Sequence, residues 1–281
     1  MRISRKVKLL ILLLAIPITY IIFNKTNYNN ITYTAIGDGL TLGIDSYGQK
    51  IYSYNDYTID YLKDIKKLRD YNLIFSSPET TIEMVYNKLL KNEKMSYKNT
   101  KVNIRNILNE TDYLVISLGL NDLIYKIQTQ QEINGETINI IMNGLDKLFD
   151  DFINEVRKSY NGEIYVVGYY EPIINNKIYT NAIKKLNNIY KENDEVIYIS
   201  TSIISENNKI FLPNPSSYYP NYKGYQAISS KIIDKISKKL EKWKNTCYTN
   251  NAFELLWLYR SCRKEKIMWR KIFIQKQWNV Q

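Results

Sequence analysis

The sequence predicts an α/β fold: a three-layer α/β/α sandwich around a mostly parallel five-stranded sheet, preceded by an N-terminal membrane anchor. Three observations predict it. Strand-like and helix-like segments alternate along the chain. The run Tyr113-Leu-Val-Ile-Ser-Leu118 is almost wholly apolar, as a strand buried on both faces of a parallel sheet requires. Leu9 to Phe23 is uncharged and strongly apolar and follows Arg2, Arg5, Lys6 and Lys8, a pattern for an anchor with its N-terminus inside and its body outside.

The elements follow in order. Ile31 to Ile36 mixes β-branched and aromatic residues and ends at Gly37, which reads as the first strand. The turn Gly37 to Gly43 leads to a helix over Tyr54 to Leu68, and Leu73 to Phe75 reads as a second short strand. Thr80 to Lys91 carries Ile82, Val85, Leu89 and Leu90 at helical spacing. Tyr113 to Leu118 is the buried strand, and Ile138 to Tyr160 a long amphipathic helix. Glu163 to Tyr169 is another strand, Thr180 to Asn193 a helix, and Val196 to Ser200 the last strand. Gly224 to Trp243 closes the domain as a helix, with Ile228, Ile232, Ile233, Ile236 and Leu240 along one side. The expected organisation is an anchor over residues 1–24, the α/β domain over 25–244, and an extension over 245–281 that interleaves Trp257, Trp269 and Trp278 with basic residues.

Composition narrows the chemistry. The chain has no histidine, and its two cysteines, Cys247 and Cys262, both lie in the extension. No set of residues has zinc-ligand spacing, so no metal and no cofactor is expected. Cys247 and Cys262 could pair outside the cytoplasm or remain two unrelated thiols. The net charge of +11 fits either a lysine-rich solvated surface or attraction to anionic lipid or wall polymer. With an extracytoplasmic body the expected partners are the membrane, through the anchor, and a lipid or glycan of the cell envelope; no nucleic acid is expected. The basic, tryptophan-bearing extension fits either a membrane surface or helix packing on the domain.

Three segments carry the chemistry: Gly37-Asp38-Gly39-Leu40, Gly119-Leu120-Asn121-Asp122, and Ser216-Ser217-Tyr218-Tyr219-Pro220-Asn221-Tyr222-Lys223-Gly224-Tyr225. Each is expected at the carboxyl end of a strand or at the start of the last helix, where open α/β sheets form their crevice. In order and spacing they resemble the blocks of the SGNH/GDSL hydrolases: the Gly-Asp-Ser-Leu turn, the Gly-x-Asn-Asp loop, and Asp-x-x-His-Pro-Asn running into Lys-Gly-Tyr. The resemblance covers about Thr32 to Lys239. It implies the flavodoxin-like fold of that family and a site in which a serine attacks an ester, a histidine oriented by an aspartate takes its proton, and backbone and asparagine N–H groups hold the oxyanion.

Carried over residue by residue, the nucleophile position is Gly39, the aspartate position Ser216 and the base position Tyr219. The oxyanion donors would be the Gly39 N–H, the Ser77 N–H and the Asn121 amide. Asp38 and Asp122 would support the cleft by bonding loop backbone, or Asp38 would hold a water in the space the serine leaves. Gly39 has no nucleophile to offer, and a tyrosine, with an ordinary pKa near 10, is a poor base. The expected function is that of a membrane-anchored, extracytoplasmic hydrolase-like protein without ester hydrolysis, binding an envelope ester, glycan or partner. The alternative is an active esterase with a rearranged site, using Thr41 or water at Asp38.

Overall fold

The computed structural model describes residues 30–97, 100–171, 177–214 and 217–248. The expected anchor, most of the extension, Cys262 and Ser216 lie outside the described residues. Contacts divide the chain into two units, Met1–Ile232 and Ile233–Gln281. The first holds the sheet and the predicted site.

Five strands build that sheet: β1 (Ile31–Gly37), β2 (Leu68–Asn72), β5 (Tyr113–Ser117), β6 (Ile164–Val167) and β7 (Val196–Ile199). Their order is β2-β1-β5-β6-β7, and every neighbouring pair is parallel. Every residue of β1 and β5 is buried. Side chains alternate between faces, so complete burial means that both faces are covered, as the layered expectation required.

The helices that join the strands cover it. They are α1 (Gly39–Leu42), α2 (Tyr54–Asp64), α3 (Ile82–Leu90), α4 (Ile104–Glu110), α5 (Leu120–Gln128), α6 (Gly135–Arg157), α7 (Lys177–Glu192), α8 (Ser202–Glu206), α9 (Asn208–Phe211) and α10 (Tyr222–Tyr248). Helix α6 packs on α3, α5 and α7. The Thr58 and Ser229 hydroxyls, 3.0 Å apart, join α2 to the start of α10. Among the described residues no helix is long and apolar enough to cross a membrane.

Two predicted boundaries need correction. The first long helix stops at Asp64, and the second strand is Leu68–Asn72, not Leu73–Phe75. Lys66, with φ +55°, turns the chain between them. That strand is the sheet edge, where alternate residues face solvent, so Arg69 and Tyr71 replace the apolar run of an inner strand. A polar hairpin, β3 (Lys94–Tyr97) with β4 (Thr100–Asn103), was not foreseen.

Part of the tyrosine excess goes to the core. Tyr33, Tyr54, Tyr165, Tyr190 and Tyr225 are among its largest fully buried side chains. Each hydroxyl has a partner: Asn55, Thr41, Glu163, the Leu118 carbonyl and the Ile44 carbonyl, in that order. A buried phenol left unpaired would cost about 1–3 kcal/mol.

Candidate functional site

Strand order fixes where a site can form. The connections leave β1 and β5 in opposite directions along the sheet, so the crevice lies at their adjacent carboxyl ends. Gly37 is in register with Ser117, and the Asp38 N–H donates to the Ser117 carbonyl at 3.1 Å. The Gly-Asp-Gly-Leu turn and the Gly-x-Asn-Asp loop therefore start side by side.

Asp38 caps α1. Its carboxylate accepts the Leu40 N–H at 2.9 Å and the Tyr169 hydroxyl at 2.6 Å. It is 1% exposed, and burial pushes its pKa up to about 7 against the opposing pull of those hydrogen bonds.

Gly39 follows. Its φ lies outside the left-handed region, so its backbone would accept any residue. Space explains the glycine. A Cβ built at position 39 would overlap the phenol of Tyr219, with Cζ at 2.6 Å and Cε1 at 3.0 Å. Two positions that the resemblance assigns to a triad thus meet, and the ring of one fills the room that a side chain on the other would need. Burial, and next the charge of Asp38, raise the Tyr219 pKa and oppose phenolate formation. Among the described residues its hydroxyl has no hydrogen-bond partner. The Tyr219 segment is held from below: Tyr170 donates to the Tyr218 carbonyl, and the Tyr219 N–H donates to Ser217 Oγ at 3.2 Å.

Two of the three expected oxyanion donors, the Asn121 amide and the Ser77 N–H, are engaged elsewhere. Asn121 gives Nδ2 hydrogens to the carbonyls of Pro78 at 2.8 Å and Thr80 at 3.0 Å. The Ser77 N–H donates to Thr80 Oγ1 at 2.7 Å. Asp122 accepts the N–H of Ile82 at 2.9 Å and of Glu83 at 3.4 Å, at the first turn of α3. Burial raises its pKa. Asn121 and Asp122 together tie the 77–83 segment to the start of α5. Gly119 opens α5 at φ +116°, where its missing Cβ leaves room for the Tyr190 hydroxyl that donates to Leu118. Thr41 points into the core, fully buried, its hydroxyl 3.0 Å from that of Tyr54.

Tyr169 and Tyr170 are site residues that sequence reasoning missed. Their signal was position: they follow Gly168 just past β6, at the same carboxyl end of the sheet as Asp38. Among the described residues no group of His, Cys, Asp and Glu side chains could hold a metal ion.

The fold matches solved structures. The lipase Lip_vut3 from a goat rumen metagenome aligns with a TM-score of 0.58 at 18% identity, covering 73% of this chain and 96% of that one. A catalytic mutant of Axe2, an acetylxylan esterase from Geobacillus stearothermophilus, gives 0.54 at 14% identity, covering 74% and 95%. A protein of Parabacteroides merdae assigned as a GDSL-like lipase gives 0.50 at 12% identity, covering 74% and 95%. At such identities the likeness is one of fold: the chain has the SGNH/GDSL hydrolase fold. No protein-family model and no curated protein matches it.

Proposed function

We propose that this SGNH/GDSL-fold domain is non-catalytic, and that it binds a molecule of the cell envelope in the crevice where its relatives in fold turn over esters. The single observation that carries this reading is the Tyr219 ring lying over Gly39, where a nucleophile's side chain would stand. The attacking hydroxyl and its base are replaced, and the Asn121 amide is engaged elsewhere. The solved neighbours include a lipase and an acetylxylan esterase, so an acyl- or sugar-bearing ligand is the class proposed here. Residues 1–24 would tether the domain to the outer side of the membrane, and the basic extension would add attraction to anionic lipid or wall polymer.

One observation favours a second reading. Asp38, with a pKa near neutrality, has the proton affinity of a general base, which could activate a water. Its burial and its bond to Tyr169 weigh against it.

Full-length protein in detergent, assayed with p-nitrophenyl acetate and a fluorophosphonate probe, separates the readings. The expectation is neither turnover nor labelling. Turnover lost on Asp38→Asn without labelling would establish the second reading. Labelling at Thr41 would sink both.

A further inference from the structure

We infer that a shelf of exposed tyrosines beside the crevice, Tyr47, Tyr52 and Tyr222, is a docking surface for the pyranose rings of a glycan chain. The inference names the ligand class of the reading above and rests on it. Five tyrosines among the described residues are strongly exposed: Tyr47, Tyr52, Tyr71, Tyr125 and Tyr222. Three of them belong to segments that converge next to Gly39, so the concentration is local and not a reflection of tyrosine content.

Several bonds join these segments. The Gly43 N–H closes α1 on the Gly39 carbonyl, and the Ile44 N–H donates to the same oxygen at 2.9 Å. Ile44 bridges to Lys50, which makes a hairpin with Tyr47 at its tip. The tip is shaped by Asp45, whose carboxylate accepts the N–H groups of Tyr47 at 2.9 Å and Gln49 at 2.8 Å. Asn214 donates to the Ser46 carbonyl at 2.8 Å, and Tyr225 to the Ile44 carbonyl, which ties this hairpin to the first turn of α10. Tyr222 stands one turn before Tyr225 and is 55% exposed. Tyr52 leaves the other end of the hairpin, with its ring edge-on to Tyr57 at 4.8 Å between centroids.

The chemistry around the rings selects the occupant. Protein interfaces deplete charge from their cores, and a membrane surface, which also takes tyrosine, favours basic residues beside the rings over the carboxylates of Asp45 and Asp60 found here. Here each ring is set among hydrogen-bonding groups. Tyr52 donates to Asp60, which also binds Lys63 at 2.9 Å. Lys223 Nζ lies 6.0 Å from the Tyr222 ring centre, and Tyr47 sits on the Asp45 turn. Apolar ring faces alternating with carboxylates, amides and an ammonium suit a ligand whose own surface alternates C–H faces with hydroxyls. The aromatic ring provides the apolar body and its hydroxyl the polar tip.

The test is calorimetric titration of the full-length protein in detergent with cellohexaose and chitohexaose, and vesicle co-sedimentation with phosphatidylglycerol. Saturable binding to at least one hexaose is expected. Tyr52→Ala, Tyr47→Ala or Tyr222→Ala should each weaken it by about 2- to 10-fold, and Tyr222→Phe should stay near wild type. Tyr125→Ala, an exposed tyrosine on α5, should leave binding unchanged. All are surface positions, and retained thermal unfolding checks the fold. Silence with both hexaoses, binding to vesicles alone, or equal losses in Tyr125→Ala would overturn the inference. Ester turnover by the wild type would instead overturn the non-catalytic reading, so the two failures are told apart.

Discussion

Adding one methyl group at position 39 tests the contact between Gly39 and Tyr219. In Gly39→Ala the new Cβ would stand 2.6 Å from Tyr219 Cζ, whereas carbon pairs prefer about 3.5–4.0 Å. The ring must retreat by roughly 1 Å. Overpacking of this kind costs about 1–3 kcal/mol, and a ring that is only partly buried should put the cost near the lower end. Opposing it, removing a glycine from a position without positive φ stabilises by about 0.4–1 kcal/mol through the unfolded chain. The net change in the wild-type background is therefore a loss of up to about 2 kcal/mol. In a Tyr219→Ala background the overlap is gone and only the gain remains. The cycle should give a coupling of about 1–3 kcal/mol. Urea unfolding of the four proteins at one pH reads it directly. If Gly39→Ala stabilises both backgrounds equally, the ring does not stand over residue 39 and the reasoning fails.

Other expectations concern the groups around that contact. Asp38 is held near pKa 7 in the fold against an ordinary 3.8. Between these values the native state keeps a proton that the unfolded chain has released, so stability falls as pH rises from about 4 to 7. Asp38→Asn should flatten that slope in unfolding curves taken across the range, and an unchanged slope would reject the assignment. Gly119→Ala forces a side chain into φ +116° against Tyr190, Leu186 and Ile82. A loss of about 2–4 kcal/mol is expected by chemical denaturation, and a neutral result would mean that the α5 start is not built as described. Asn121→Ala strips hydrogen bonds from the Pro78 and Thr80 carbonyls. It should cost about 1–2 kcal/mol and lower hydrogen-exchange protection in the 77–83 segment, an effect that an amide facing only the crevice would not produce.

Much of the fold was legible because burial writes itself into composition. Tyr113–Ser117 could be read from its apolar run alone, since a strand covered on both faces has no polar side. The edge strand Leu68–Asn72 could not: it carries Leu, Arg, Asp, Tyr and Asn, which fits a loop or a helix end as well. The hairpin Lys94–Asn103 failed for the same reason, having little buried surface to set a period. Helix α5 begins at Gly119 in a left-handed conformation, a turn that a glycine at this place in the motif foretells.

The site divided along similar lines. Sequence order brought Gly39 and Tyr219 into correspondence with a nucleophile and its base, and the structure puts them in contact. Side-chain direction was beyond reach. Asn121 stands in its expected motif, but its amide turns to the 78–80 backbone, a choice made by carbonyls some forty residues away in sequence. The bond between Tyr169 and Asp38 is likewise a tertiary event with no periodic signature.

The most direct test of the central claim is reconstruction. The claim is that an acyl-transfer scaffold persists with its reacting groups replaced and a tyrosine ring in the nucleophile's space. Gly39→Ser, Ser216→Asp and Tyr219→His, combined in the full-length protein, should yield fluorophosphonate labelling at position 39 and measurable p-nitrophenyl acetate hydrolysis, while the wild type gives neither. A triple variant that unfolds like the wild type and remains unlabelled would contradict the account, as would wild-type protein that is labelled without any substitution.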